Sequence, residues 1–198
     1  MFTGIIETTG IVKQIEQDKT NLKIHIEAPF INEIRIDQSI AHNGVCLTVD
    51  GIHNGLYTVS CIEETLLKTN LRHIQENAVV NLERSMEMNG RLDGHLVYGH
   101  VDQTAICTAI QDMDGSKIYT FNYDPAKENV TIEKGSVCIN GVSLTVINSG
   151  NGAFSVAIIP YTFQNTNFMH INKDSVVNLE FDVVGKYIAK YLQKMMTR

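Results

Sequence analysis

The 198-residue sequence has no block of basic residues, and its 16 Lys and Arg are outnumbered by 22 Asp and Glu. That argues against a nucleic-acid partner, because phosphate binding rests on clustered Lys and Arg. No apolar run approaches the roughly 20 residues that a membrane span requires, so no membrane partner is expected. Among Cys46, Cys61, Cys107 and Cys138 no two have CxxC spacing, and the strong zinc signature is therefore missing. The opening "MFTGIIETTG" meets an acid at Glu7 and lacks the basic stretch and long apolar core of a secretory signal. The expectation is a cytoplasmic setting with reduced thiols, at least three of them small buried apolar side chains. A hydrophobic content of 43% is that of an ordinary globular chain.

What the sequence does contain is a long repeat. "NGVCLTV" (43–49) returns as "NGVSLTV" (140–146), with Cys46 in one copy and Ser143 in the other. A shift of 97 aligns residues 39–84 with 136–181 without a gap, and 21 of those 46 pairs are identical. "VVNLE" (79–83) falls on 176–180, and a shift of 95 lays "GIIETTGIV" (4–12) over "GHVDQTAIC" (99–107). Such self-similarity marks a duplicated module. "SMEMNGRLDG" (85–94) reads as the junction, polar and with two glycines. The boundaries expected are 1–89 and 90–183 for the two modules and 184–198 for a tail.

Each module reads as β. Alternation runs through "LKIHIEA" (22–28), "LYTVSCI" (56–62), "KIYTFNY" (117–123) and "AFSVAII" (153–159). Asn54-Gly55 and Asn151-Gly152 separate strand-like runs and predict tight hairpins. Asn43-Gly44 and Asn140-Gly141 fit the same kind of turn. Helix is expected only in short stretches: 63–71, its counterpart from Pro160, and 124–130. Many short strands with Gly-rich turns favour a closed barrel or sandwich in each half. The tail differs, since Val184, Ile188, Tyr191, Leu192 and Met195 recur at the spacing of a one-sided helix. Its apolar face has either its own barrel or the tails of other subunits to pack against.

Six phrases then carry a resemblance that covers essentially the whole chain: "MFTGII", "AHNGVCLTV", "GRLDGHLVYGHVD", "KGSVCINGVSLTV", "IIPYTFQNTN" and "VNLEFDVVGKY". In this order and spacing they resemble the riboflavin synthases of the homotrimeric, α-chain type. The resemblance implies an all-β fold of two tandem six-stranded Greek-key β-barrels plus a C-terminal α-helix that builds the trimer. It implies a transferase reaction in which two molecules of 6,7-dimethyl-8-ribityllumazine exchange a four-carbon unit, with no metal and no organic cofactor. Riboflavin and 5-amino-6-ribitylaminouracil are the products. In the family the active site lies between the N-terminal barrel of one subunit and the C-terminal barrel of a neighbour. Lumazine synthase is a further partner to consider.

Carried over residue by residue, the resemblance marks Cys46 as a nucleophilic or hydrogen-bonding thiol and Ser39 as a group that activates or positions the lumazine. The alternatives are an inert buried thiol and a turn hydroxyl. His100 matches a proton-transfer histidine, while His95 reads as structural. On a regular strand these two would face opposite ways, which argues against a two-histidine metal site. Lys134 fits a cation that steadies an anionic lumazine. Asp182 matches an acid near the site, with a helix N-cap as its other reading. Substrate contacts are expected from Gly4, Ile5 and Ile6, from Leu47 and Thr48, and from Ile62, Glu63, Glu64 and Thr65. In the second half they are expected from Gly99, Val101, Ser143, Leu144 and Thr145, and from Ile159, Pro160, Tyr161 and Thr162. Asn140 stands where some family members have Asp, so it reads as a turn or amide-recognition residue. A lumazine- or flavin-carrying antenna protein on the same fold is the rival reading, and retention of both "NGVxLTV" copies weighs against it. A flavin reductase barrel would need a nucleotide-binding domain, for which no GxGxxG and no spare chain exist.

Overall fold

A computed structural model describes residues 1–127 and 129–196. Glu128, inside the expected short helix at 124–130, and residues 197–198, at the end of the expected tail, lie outside the described residues.

The duplicated pattern folds as two closed antiparallel barrels. The first contains β1 (Thr8–Asp18), β2 (Asn21–Glu27), β3 (Ser39–His42), β4 (Val45–His53), β5 (Leu56–Cys61) and β6 (Val79–Arg84). The second repeats them as β7 (Gln103–Met113), β8 (Ser116–Tyr123), β9 (Ser136–Ile139), β10 (Val142–Gly150), β11 (Ala153–Ile158) and β12 (Val176–Phe181). Around the first barrel the order is β1-β2-β5-β4-β3-β6, and the second has the corresponding cyclic order. β2 lies beside β5 and β6 beside β3, so these are Greek-key barrels. Both first strands slip register at the same place, between Val12 and Gln14 and between Cys107 and Ala109. Such bulges bend a strand around a small barrel.

Inward residues of every strand meet in one core per barrel. Val12, Ile24, Ile26, Val49, Tyr57, Val59 and Leu82 fill the first, with larger rings, Tyr119, Phe121, Phe154 and Phe168, in the second. Truncating a side chain such as Leu82 to alanine costs about 2–5 kcal/mol in a packed interior of this kind. Cys61 and Cys107 belong to these cores and Cys138 to a small cluster between the barrels, while Cys46 is only partly buried.

The turns follow the Asn-Gly signals with one difference. Asn43-Gly44, Asn140-Gly141 and Asn54-Gly55 all take the left-handed pair that a type I′ turn demands. In the fourth turn only Gly152 is left-handed, and the left-handed residue nearby is Asn148. A register shift between Ile147 and Gly150 accompanies it, so this hairpin is built around a bulge.

Short helices α1 (Glu63–Lys68) and α2 (Pro160–Asn165) follow β5 and β11, and the described residues of 124–130 form only a 3-10 turn at Pro125–Lys127. The tail is helix α3 (Val183–Met196), and none of its described residues is buried. Val184, Ile188, Leu192 and Met195 are each more than half exposed. The helix therefore does not bury its apolar face on either barrel of its own chain.

Candidate functional site

The chain leading into each barrel crosses to the other barrel. Phe2 and Val97 pair as an isolated antiparallel bridge, with N–H to carbonyl distances of 2.7 and 3.1 Å, at the centre of this crossing. Beyond it, the Ser143 amide donates to the Gly4 carbonyl at 2.7 Å, and the Cys46 amide donates to the Gly99 carbonyl at 2.8 Å. Residues 3–6 thus lie on β10 of the second barrel and residues 98–101 on β4 of the first. Ile6 packs against the second core and Val101 against the first. Glycine is required at both crossings. Gly4 and Gly99 have φ of +76° and +75°, and a Cβ would stand 2.6 Å from the Cβ of Ser143 or of Cys46.

Two buried carboxylates hold these lead-in segments. Glu83, at the end of the first "VVNLE", accepts from the Thr3 amide (2.6 Å), the Thr3 hydroxyl (2.7 Å) and the Gly4 amide (3.0 Å). Glu180, in the second copy, accepts from the amides of Tyr98, Gly99 and His100 at 2.7, 2.9 and 3.0 Å. Burial pushes the Glu180 carboxyl up to about 7, against the pull of those amides and of Lys186. It raises Glu83 as well, against its bonds from Thr3 and Gly4.

Six asparagines lock the two halves together, again in matched pairs. Asn43 Oδ1 accepts from the Asn81 amide and Asn167 Nδ2, and Asn140 Oδ1 accepts from the Asn178 amide and Asn70 Nδ2. Asn81 Nδ2 donates to the Asn140 carbonyl and Asn178 Nδ2 to the Asn43 carbonyl, both at 2.8 Å. The symmetry breaks around Asn70: Asn81 also donates to Asn167 Oδ1, whereas buried Asn70 Oδ1 has no partner and Asn70 Nδ2 donates to the Val176 carbonyl as well.

On this frame the expected site residues fall into two groups. In β3 and β4, Ser39 pairs with Thr48 and Ala41 with Cys46. Val45, Leu47 and Val49 point into the core, so by alternation Cys46 and Thr48 face outward. Cys46, Thr48 and Ser39 therefore share one outer face, at the seam where Gly99, His100 and Val101 of the second half's lead-in meet the first barrel through the Gly99 carbonyl. His100 is exposed, its ring 6.1 Å from that of Tyr98. The Leu47 side chain belongs to the core, which leaves its backbone for any ligand.

The second barrel repeats the arrangement with different chemistry. Ser136 pairs with Thr145 and Cys138 with Ser143, and Gly4, Ile5 and Ile6 form the covering segment. Leu144 packs on the core. The Ser143 hydroxyl is 2.7 Å from Nδ1 of His95, a contact with no counterpart at Cys46. Burial lowers the pKa of His95, with the charge of Asp182 opposing it, and its Nε2 is buried without a partner. The "GHLVYGH" segment is not a regular strand, because the bridge at Val97 is isolated within a crossing segment. His95 is buried and His100 exposed. Ile62 and Ile159 sit at the extended N-caps of α1 and α2, each more than half exposed. Glu63, Glu64 and Thr65 and then Pro160, Tyr161 and Thr162 form the first turns of those helices.

Lys134 and Asp182 belong to the second half of the chain, and the charge of Asp182 acts on His95. Lys134 has a left-handed backbone (φ 62°) and its amide donates to the Val146 carbonyl. Asp182 Oδ1 accepts from the Val184 amide at 2.9 Å, which is the helix N-cap. Asp182 and Ser136 line a cleft of about 400 Å³ between the second barrel and α3. Among the described residues no hydrogen bond or ion pair joins Lys134 or Asp182 to Ser39, Cys46 or His100, and no three His, Cys, Asp or Glu form a metal-binding group. The sequence reading assigns Asn43 and Asn140 to turns but no role to Glu83, Glu180, Asn81 and Asn178, although the repetition of "VVNLE" was the signal that could have singled these four out.

A lumazine binding domain profile matches the chain twice, over residues 3–85 and 98–182. The chain is 41% identical to a riboflavin synthase of Actinobacillus pleuropneumoniae over 195 residues, covering 98% of this chain and 91% of that protein. Identity is 36% to the riboflavin synthases of Bacillus subtilis and Schizosaccharomyces pombe, covering 98% of this chain and 91% and 94% of those proteins. Among solved structures, LumP complexed with riboflavin aligns with a TM-score of 0.84 at 23% identity, over 91% of this chain and 99% of that one. LumP complexed with 6,7-dimethyl-8-(1'-D-ribityl) lumazine aligns with a TM-score of 0.82 at 22% identity, over 91% and 98%.

Proposed function

The chain belongs to the riboflavin synthase family, and on that premise we propose how its residues run the family's reaction. Two molecules of 6,7-dimethyl-8-ribityllumazine enter, four carbons pass from one to the other, and riboflavin and 5-amino-6-ribitylaminouracil leave. The transfer balances without oxidant or cofactor. One observation carries the assignment of residues: each copy of the repeated strand is covered by the lead-in segment of the other half. This yields two related outer-face pockets for two copies of one substrate.

The modules 1–89 and 90–183 each take one lumazine. The first rests on Cys46, Thr48 and Ser39, with Gly99–Val101 as one wall and the Ile62–Thr65 turn as the rim. The second rests on Ser143 and Thr145, with Gly4–Ile6 as wall and Ile159–Thr162 as rim. The exposed peptide groups of these walls and rims suit the donor-rich and acceptor-rich edge of the pteridine ring. His100 exchanges a proton with the lumazine, Cys46 donates to it or attacks it, and Ser39 positions it. Lys134 steadies an anionic lumazine and Asp182 lies beside the second molecule. Holding two reactants in contact is worth effective molarities of about 10⁵–10⁸ M.

That Cys46 belongs to the first barrel and Lys134 and Asp182 to the second supports a site completed between subunits, with the first barrel of one chain facing the second barrel of a neighbour. The uncovered apolar face of α3 supports assembly as a homotrimer through 184–198. A cytoplasmic location and lumazine synthase as a further partner belong to the same reading.

The test is turnover. Purified protein mixed with the lumazine alone should release riboflavin, followed by absorbance and fluorescence. Tight binding without turnover above background would instead make it an antenna-type binder. Cys46→Ala and His100→Ala should each slow turnover far more than they weaken binding, and full rates in both would overturn the site. Removal of 184–198 should give monomers in sedimentation, and persistent trimers would free the tail of that role.

A further inference from the structure

We propose that Glu180 is a positioning residue for this reaction: its carboxylate holds the Tyr98–His100 backbone so that His100 is presented over Cys46 of the other barrel. Glu83 holds Thr3 and Gly4 against Ser143 in the same way. The inference rests on the reading of His100 given above.

The geometry carries it. Residues 98–100 belong to no strand, and three successive amides point at one side chain at 2.7–3.0 Å. An ionised carboxylate accepts on both oxygens, whereas a carboxamide offers one oxygen and presents donors at the other end. Only a carboxylate in this place satisfies all three amides. Glu180 is 2% exposed, and a charge so buried is costly unless its bonds are fully used. The groups around it do not neutralise it directly: Lys186 is engaged with both oxygens of Asp102 at 2.9 Å, and Asp102 also accepts the Phe181 amide. The other neighbour is the thiol of Cys138, which is fully buried and raised well above its ordinary value. His100, by contrast, is exposed, so its backbone anchor decides where the imidazole stands. The result is an exchange of parts, in which a carboxylate of the second barrel shapes the pocket of the first.

The test uses the full-length protein and two readouts. Hydrogen exchange should show the amides of 98–100 protected in the wild type and accelerated about tenfold or more in Glu180→Gln, with β8 and β11 unchanged. Glu83→Gln should leave those amides protected and accelerate residues 3–4 instead. In kinetics, Glu180→Gln should lower kcat by about tenfold with KM changed less than about threefold. The same substitution made on top of His100→Ala should cost less than about threefold, because a group that acts through His100 has nothing left to position. Wild-type exchange at 98–100 in Glu180→Gln, or an equal loss of kcat in both backgrounds, would overturn the proposal. Should Glu180→Gln fail to fold, the wild type decides: amides at 98–100 exchanging as fast as the 85–93 junction would refute the grip. Full turnover by His100→Ala alone sinks the underlying reading of His100, and is told apart because exchange reports the grip without turnover.

Discussion

Gly99→Ala measures how much the crossing of the two halves is worth. Three costs combine at this residue. A left-handed backbone at φ +75° strains any residue with a Cβ by about 1–2 kcal/mol. The new Cβ meets the Cys46 Cβ at 2.6 Å, the Cys46 amide nitrogen at 2.9 Å and the Phe2 ring at 2.9 Å. Backbone cannot yield as a side-chain tip can, and overpacking of this kind costs about 1–3 kcal/mol. Any retreat lengthens the 2.8 Å bond from the Cys46 amide to the Gly99 carbonyl, worth about 1 kcal/mol. Gly55→Ala provides the matched control, because Gly55 is also left-handed (φ +78°) but its Cβ would meet nothing within 4 Å. It should show the strain alone.

The difference between the two variants is then about 2–4 kcal/mol. For a chain of this length 3 kcal/mol lowers Tm by about 6–12 °C. Thermal melts followed by circular dichroism, at one protein concentration because assembly shifts Tm, give the comparison directly. Gly99→Ala should also turn over more slowly than Gly55→Ala, since retreat of 99–101 carries His100 away from Cys46. If the two variants melt within about 2 °C of each other, the lead-in segment is not pressed on β4 and the pocket described here does not exist.

Three further outcomes follow from buried polar groups. Burial lowers His42 to about 4 from an ordinary 6.5, so the unfolded chain takes that proton first. Stability from neutral His42 is complete above pH 6.5 and falls away toward pH 4, by about 3 kcal/mol. Glu180 works the other way: raised from 4.5 to about 7, it lets the folded state gain stability as pH drops through that window. Glu180→Gln should therefore show a steeper acid loss between pH 6.5 and 4.5 than the wild type in urea titrations, and an equal or flatter slope would contradict the assignment. Asn81→Ala strips partners from the Asn140 carbonyl and from the amide and side-chain oxygen of Asn167. It should cost about 3–5 kcal/mol in urea unfolding, and a loss under about 1 kcal/mol would mean water replaces the side chain there.

Much of this architecture was legible in the letters. Alternation placed the strands, Asn-Gly placed the hairpins, and the shift of 97 paired one barrel with the other. What stayed hidden shares a physical cause: it lies between the halves. Alternation describes one sheet, and says which residues face in or out but not what covers the outside. Gly4 and Gly99 belong to no strand, and their meaning comes from Ser143 and Cys46, distant in the sequence and on the opposite barrel. Glu83 and Glu180 look like outward strand residues by period, yet both are buried because the other half closes over them. His95 and His100 were read against an ideal strand, and the crossing gave that stretch an irregular path instead. Both β4–β5 and β10–β11 slip register, yet the second hairpin leaves Asn151 out of the left-handed region and puts Asn148 there, a difference that the shared Asn-Gly letters do not reveal.

On the proposed assignment the crossing also explains how a duplicated protein treats two identical molecules unequally. The pocket over β4 receives the Cys46 thiol and, from the lead-in, His100. At the matching places the pocket over β10 receives the Ser143 hydroxyl and Ile5, with His95 bonded to the serine. On the proposed assignment the thiol and the exposed imidazole therefore belong to one pocket, although they come from opposite halves of the chain. If the Cys46/Ser143 difference sets the two jobs, moving the thiol alone should not move the job. Cys46→Ser should lower kcat while leaving lumazine binding within about threefold, because the shared letters still build the pocket. Adding Ser143→Cys should fail to restore turnover, since the imidazole stays with β4 and a thiol is a weaker partner for His95 than the hydroxyl it replaces. Recovery of the wild-type rate in the double variant would show that the two pockets are interchangeable, and that the thiol alone distinguishes them.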